Sequence, residues 1–94
     1  MNISLIDSHC HLEDDRFDED REEVIQRARN AGVQQFIISS TIARRWQRVK
    51  QTATDFEGVY ASYGLHPMFM SDHQPGHIEE LDAWADKNAC VAIG

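Results

Sequence analysis

The feature that most constrains this chain is a regular alternation of short apolar runs with stretches of helical periodicity. Four runs have the length and the bulky or β-branched residues of a strand: residues 3–7, 33–40, 59–63 and 90–93. Between them, apolar residues recur every three to four positions, which is typical of one face of an amphipathic helix. The order β-α-β-α-β-α-β predicts an α/β fold with a parallel sheet and right-handed crossovers.

Each predicted helix carries signals at its ends. Acidic residues at positions 18–20 suit the positive N-terminal end of the first helix, and Gly32 is predicted to end it. Thr41 is predicted to be the N-cap of the second helix. The predicted apolar faces consist of Val24, Ile25, Ala28 and Ala31 in the first helix, Ile42, Trp46, Val49 and Ala53 in the second, and Ile78, Leu81, Trp84 and Ala85 in the third. Four aromatic residues are expected in the core: Phe36, Trp46, Tyr60 and Trp84.

Composition and charge exclude several classes of protein. The chain has 94 residues, enough for one domain at most, and a formal net charge of -7, which disfavours binding of nucleic acid through bulk charge. No apolar run approaches the ~20 residues that span a bilayer, and the start of the chain lacks the basic region of a signal peptide. Two cysteines are too few for a disulfide scaffold. We therefore expect a cytoplasmic protein with reduced thiols, no membrane association and no stable protein partner.

The strongest chemical signal is the sequence DSHCH at positions 7–11, where the first predicted strand ends. Because side chains two residues apart share one face of an extended strand, Asp7, His9 and His11 are expected on one face and Cys10 on the other. Two adjacent imidazoles can donate two nitrogen ligands to a divalent metal, and a nearby carboxylate can orient a ligand ring. The alternative is a pair of polar histidines at a strand-to-loop transition. Cys10 is interpreted as a packed structural residue.

Other polar residues are weaker candidates. His66 follows the third predicted strand, which places it at the same edge of the sheet; the alternative is a histidine that organises the turn before Pro67. His73 and His77 are interpreted as solvated side chains. The cations of the second helix are interpreted as a solvated face: Arg44, Arg45, Arg48 and Lys50. The residues that flank His66 are expected either to wall a substrate pocket or to pack locally: Tyr63, Met68, Phe69 and Met70.

The stretch LIDSHCHL at residues 5–12 resembles the opening of the TatD-type metal-dependent hydrolases, a branch of the amidohydrolase-like superfamily. Three further stretches are similar to that family in the same order: ARNAGV at residues 28–33 with the apolar strand after it, YGLHP at residues 63–67, and VAIG at residues 91–94. The first and third stretches are the most specific. The resemblance spans essentially the whole chain.

The resemblance implies a (β/α)₈ barrel of about 250 residues, of which residues 1–94 form the N-terminal part. It implies two divalent metal ions (Zn, Mg or Mn) at the top of the barrel, with His9 and His11 as the first pair of ligands and Asp7 in support. It also implies a bridging Glu directly after Gly94 and further ligands from later strands. His66 matches a histidine that lies near the metals and contacts substrate. The implied reaction is hydrolysis of phosphodiester bonds in DNA, with the 94-residue chain alone inactive.

Two alternatives remain at the level of sequence. The same pair of histidines would serve another amidohydrolase-like reaction, such as amide or lactone hydrolysis, and a carboxylated lysine in place of the bridging Glu would favour it. If these 94 residues are the natural full length, a metal-binding or interaction module without catalysis is expected instead.

Overall fold

The structure of the protein is a computed structural model that describes residues 3–94. The strands are β1 (Leu5–Cys10), β2 (Val33–Ser39), β3 (Val59–Tyr63) and β4 (Ala92–Ile93), and the α-helices are α1 (Arg21–Asn30), α2 (Trp46–Asp55) and α3 (His77–Lys87). Short 3₁₀ helices occupy Asp15–Phe17, Ala43–Arg45 and Pro67–Asp72. No helix within the described residues is long and apolar enough to cross a membrane.

The four strands form one parallel sheet in the order β1-β2-β3-β4. Each helix connects two neighbouring parallel strands, which is the geometry of consecutive βαβ units. The predicted order of elements is therefore confirmed. Because all four strands run the same way, their carboxyl ends meet at one edge, where parallel α/β folds place their sites.

Helices cover one face of this sheet and build the core there. Alternate side chains of the two central strands are buried on that face: Phe36, Ile38, Val59, Ala61 and Tyr63. Ile25 of α1 and Trp46 and Val49 of α2 pack against them. The core thus lies between the sheet and the helices, and it fixes the orientation of the sheet's carboxyl edge.

One aromatic residue predicted to be in the core is not there. Tyr60 is 41% exposed, because it alternates with the buried Val59 and Ala61 and so lies on the opposite face of the sheet. The structure also shows Phe36 and Trp46 fully buried and Trp84 packed at the edge of the core, as predicted.

The predicted ends of several elements are wrong. β1 begins two residues later than predicted and continues through His9, so this histidine lies in the strand. The acidic residues 18–20 do lie at the start of α1 as predicted, with Asp20 as the N-cap before Arg21. Thr41 is not an N-cap: a 3₁₀ turn preceded by Ile42 leads into α2, and the Thr41 carbonyl accepts a hydrogen bond from the backbone N–H of His66.

The third helix and the fourth strand are also less regular than predicted. Ile78, expected on the apolar face of α3, is 71% exposed, whereas Leu81 and Trp84 pack against the core. β4 contains only Ala92 and Ile93, although an apolar run from Cys90 predicts a longer strand. Val91 nevertheless donates its backbone N–H to the carbonyl of Ala61, which aligns the chain with β3 before the strand begins.

Candidate functional site

The two histidines of the DSHCH sequence lie together at the carboxyl end of β1. The ring centroids of His9 and His11 are 5.2 Å apart, and the ring planes are nearly perpendicular, at 86°. The register against β2 shifts by one residue between Asp7 and Cys10, which is an irregularity of the bulge type. Bulges commonly re-aim side chains next to active sites. The prediction that both rings lie side by side agrees with this geometry.

A hydroxyl on the neighbouring strand orients the ring of His9. The Oγ atom of Ser39 lies 3.2 Å from Nδ1 of His9. A metal-binding histidine usually engages an oxygen atom through its second ring nitrogen, which fixes the tautomer. With Nδ1 engaged by Ser39, Nε2 of His9 is the nitrogen available to a metal ion.

Asp7 supports His9 through the backbone. Its Oδ1 atom accepts a hydrogen bond of 3.1 Å from the backbone N–H of His9. The structure gives no contact between this carboxylate and an imidazole ring within the described residues. Asp7 thus stabilises the local bend of β1 that presents the two rings.

Glu13 is a site residue that sequence reasoning missed. It is only 6% exposed, and its Oε1 atom is buried without a hydrogen-bond partner among the described residues. That oxygen lies 3.9 Å from Nδ1 of His11, beyond hydrogen-bond distance but within reach of a small side-chain movement. Burial raises the pKa of the Glu13 carboxyl above its ordinary value. The nearby His11 lowers that pKa and so offsets part of the rise. The available signal was an acidic residue directly after the apolar Leu12.

His66 begins the turn that follows β3, and its ring caps that turn. Nδ1 of His66 accepts a hydrogen bond of 3.0 Å from the backbone N–H of Met68. The neutral ring therefore carries its proton on Nε2, which makes that atom a donor. Because the ring organises the turn at one nitrogen and leaves a donor at the other, the two sequence-based interpretations of His66 are compatible.

An open cavity of about 570 Å³ brings His11 and His66 together. Its lining also includes Glu13, Arg45 and Phe69. The cavity lies at the carboxyl edge of the sheet, since the residues that line it follow the ends of the first three strands. Of the residues that flank His66, Met68 and Phe69 line this cavity, whereas Tyr63 is buried in the core.

The described residues supply only part of a metal site. Within residues 3–94, no three His, Cys, Asp or Glu side chains lie close enough to hold a metal ion together. A structural or catalytic zinc site needs at least three protein ligands. The paired rings and the orphaned buried Oε1 atom of Glu13 fit a cation beside His9 and His11, provided that other parts of the protein complete its coordination.

Cys10 is packed as predicted. Its side chain lies against the core, and its Sγ atom is 3.5 Å from the carbonyl oxygen of Ile37. Burial raises the pKa of the Cys10 thiol to about 11. A thiol in this state is a poor nucleophile and a poor metal ligand at neutral pH.

Several residues interpreted as solvated also have partners in the fold, although the cationic face stays partly exposed, with the Arg44 side chain at 70%. His73, predicted to be solvated, is partly buried, and its Nε2 atom lies 2.7 Å from the carbonyl oxygen of His66. The three arginines of the cationic face each form an ion pair: Arg44 with Asp72, Arg45 with Asp15, and Arg48 with Asp18. Lys50 lies over the ring of Trp84. Sequence reasoning could not find the ion pairs, because each arginine lies 28 or 30 residues from its partner.

Comparison with known proteins places this geometry in context. A sequence model of the family described as TatD related DNase matches residues 6–94. The chain is 35% identical over 96 residues to an uncharacterized metal-dependent hydrolase, YjjV, of Escherichia coli strain K12, and the match covers 100% of the chain and 37% of that protein. It is 30% identical over 90 residues to a protein named 3'-5' ssDNA/RNA exonuclease TatD of Klebsiella pneumoniae, covering 96% of the chain and 34% of that relative.

A solved structure agrees with the fold. The crystal structure of the TatD homologue YjjV from Escherichia coli matches with a TM-score of 0.85 and 34% sequence identity, over 93% of this chain and 34% of that one. The chain therefore spans little more than a third of the length of these relatives. The match confirms the predicted fold class, the N-terminal β-α-β-α-β-α-β portion of a (β/α)₈ barrel.

Proposed function

Because the chain belongs to the family of TatD-related DNases, we propose that the whole protein is a metal-dependent hydrolase that cleaves phosphodiester bonds in DNA. The observation that carries this proposal is the pair of imidazole rings, 5.2 Å apart, at the carboxyl end of β1. Relatives named as a ssDNA/RNA exonuclease and as a metal-dependent hydrolase support this chemistry.

The chain supplies the first part of the enzyme's domain. Residues 1–94 correspond to 37% of one relative and 34% of another, so we place them as the N-terminal part of a barrel that continues beyond position 94. The unpaired edges of β1 and β4 would then join later strands. We place the protein in the cytoplasm, because Cys10 and Cys90 are free thiols and thiols stay reduced there.

His9 and His11 would hold the first of two divalent metal ions through their Nε2 atoms. Imidazole nitrogens suit Zn²⁺, whereas Mg²⁺ and Mn²⁺ would rely more on oxygen ligands from later strands. A divalent ion held by these residues would supply a Lewis acid for a water nucleophile and positive charge opposite the phosphate oxygens. Ser39 keeps Nε2 of His9 free for the metal by engaging Nδ1.

His66 would bind the substrate and leave the metal to other residues. Its Nδ1 atom is engaged by the backbone of Met68, so Nε2 carries the proton and donates a hydrogen bond. A phosphate oxygen of DNA is a suitable acceptor for that bond. His66 lines the same cavity as His11, which supports this role.

The test uses the full-length protein and single-stranded DNA. The double variant His9→Ala/His11→Ala should lose metal affinity and reduce kcat by at least about 100-fold, because the activating ion is no longer held. Bound metal is measured by elemental analysis and product formation by electrophoresis. The matched control His77→Ala removes a histidine outside the cavity and should keep both properties. Full nuclease activity in the double variant, or hydrolysis of amides but not DNA by the wild type, would overturn the proposal.

A further inference from the structure

We propose that His73 is a positioning residue that holds His66 in the orientation needed to contact the substrate. This inference rests on the proposed function of His66. It concerns a side chain that the sequence places in a polar loop and that the structure connects to the cavity wall.

The contact between the two histidines is short and directional. Nε2 of His73 lies 2.7 Å from the carbonyl oxygen of His66. A carbonyl oxygen only accepts hydrogen bonds. Nε2 of His73 must therefore carry a proton and act as the hydrogen-bond donor. Nδ1 of His73 is buried and has no hydrogen-bond partner among the described residues. The ring is therefore tied to the rest of the protein mainly through the carbonyl of His66.

His66 depends on such ties because the turn that it begins is weak. The 3₁₀ segment Pro67–Asp72 has no buried residues, and Phe69 interrupts it with non-helical dihedral angles. Short 3₁₀ turns have poorer hydrogen-bond geometry than α-helices. The hydrogen bond from His73, which follows this segment, to His66, which precedes it, joins the two ends of the segment. It therefore restrains the kink at Phe69.

Most of the remaining restraints on His66 act at other atoms, including the hydrogen bond from the backbone N–H of Met68 to Nδ1 of its ring. Its backbone N–H donates to the carbonyl of Thr41, at 2.7 Å, which anchors the residue to the end of β2. The ion pair of Arg44 with Asp72 also holds the segment, but it is exposed, and exposed ion pairs restrain geometry little. Only His73 and the backbone N–H of Phe69 contact the His66 carbonyl among the described residues. Loss of His73 would leave the Phe69 N–H as the one described hydrogen bond to this carbonyl. The peptide plane of His66, and with it the ring, would then be held less tightly.

His77 provides a matched control. It lies four residues after His73, and the centroids of their rings are 6.4 Å apart. Its Nδ1 atom accepts a local hydrogen bond from the backbone N–H of Gln74 and makes none to His66. A change at His77 therefore perturbs the same surface without removing the bond to His66.

The experiment compares His73→Leu, His73→Gln and His77→Leu in the full-length protein. The ring nitrogens of His66 are followed by ¹⁵N NMR, with the signals assigned through His66→Gln. We expect a fixed Nε2–H tautomer in the wild type and in His77→Leu, and averaged nitrogen shifts in His73→Leu. His73→Gln should restore the wild-type signals, since the amide Nε2 atom can donate to the same carbonyl.

Kinetics on single-stranded DNA provide a second readout. His73→Leu should lower kcat/KM roughly tenfold, since a small displacement of a substrate-contacting group is enough for such a loss. It should add no further loss in a His66→Ala background, because the two residues act through one contact. Unchanged metal content would separate this effect from damage at His9 and His11.

The outcomes distinguish this inference from the proposed function. Wild-type nitrogen signals in a folded His73→Leu variant would overturn the positioning role even if the protein is a nuclease. An equal kinetic loss with and without His66, or a loss of bound metal in His73→Leu, would overturn it as well. If the wild type does not cleave DNA, the proposed function fails, while the NMR comparison still decides whether His73 orients His66.

Discussion

At the scale of single residues, Glu13 is the group whose environment most needs an explanation. A buried carboxyl oxygen without a partner costs free energy, roughly 1–3 kcal/mol or more. The cost is offset if the carboxylate engages Nδ1 of His11, which is 3.9 Å away, once a metal ion holds the other side of that ring. Carboxylates behind metal-binding histidines commonly fix the ring and raise its basicity. Glu13 is therefore expected to support His11 as Ser39 supports His9.

This role predicts a specific loss of metal affinity. In the full-length protein, Glu13→Gln should weaken metal binding about tenfold, because the neutral amide attracts the Nδ1 proton of His11 less strongly. Competition with a chromogenic chelator would measure the dissociation constant. Asp14→Asn is the matched control, since the Asp14 carboxylate lines the same cavity but pairs with Arg16 and not with a histidine ring. Equal affinities of Glu13→Gln and the wild type would exclude support of His11 by this carboxylate.

Sequence reasoning could predict the candidate site residues whose contacts lie within one strand, but not those whose contacts form when loops fold together. The pairing of His9 with His11 could be foreseen because it depends only on their spacing along one strand. Glu13 and His73 could not, because burial of the first and the bond of the second to His66 arise from folding of the loops after β1 and β3. The prediction that Tyr60 lies in the core failed for a related reason. Side chains of β3 alternate between the two faces of the sheet, and the composition of the strand does not tell which face the helices cover.

At the scale of elements, the connection between α2 and β3 sets how closely the chain can approach β2. Gly58 in this turn has a φ of 79°, and its carbonyl accepts a hydrogen bond from the backbone N–H of Phe36. A Cβ atom at this position would lie 2.7 Å from the backbone oxygen of Gln34. The turn thus requires glycine both for its left-handed conformation and for the space beside β2. Sequence patterns alone do not reveal this close approach of two segments.

Replacement of this glycine should therefore destabilise the protein. Gly58→Ala is expected to lower the free energy of unfolding by about 2–4 kcal/mol, through strain at positive φ together with the clash. Gly76→Ala is the control, because Gly76 has a φ of -73° and open space around it, and should change stability by no more than about 0.5 kcal/mol. Chemical denaturation of the full-length variants measures both. Similar stabilities of the two variants would contradict the proposed constraint.

At the scale of the whole molecule, the sheet has one covered face and one that lacks a helical layer in the described residues. Large apolar side chains of the outer strands remain exposed, with Ile6 of β1 and Ile93 of β4 each at 57%. Parallel sheets are normally covered on both faces, and a barrel fills its interior with layers of side chains from alternate strands. The resemblance to the TatD-type hydrolases implied this open face, because four strands cannot close the (β/α)₈ barrel of that family. The relatives, of which the chain spans about a third, carry enough further length to supply the missing layers.

The 94-residue chain in isolation should therefore not behave as a well-ordered monomer. Each large apolar side chain left exposed forfeits roughly 1.5–3 kcal/mol, and several such losses equal the stability of a typical domain, about 5–15 kcal/mol. The unpaired edges of β1 and β4 also invite strand pairing between molecules. We expect the purified chain to be molten, aggregated or self-associated, and inactive on DNA with Mg²⁺ or Mn²⁺, whereas the full-length protein unfolds cooperatively. Denaturation followed by near-UV circular dichroism at several protein concentrations tests this. A sharp, concentration-independent transition from a monomeric 94-residue chain would mean that these strands need no further ones to complete the domain.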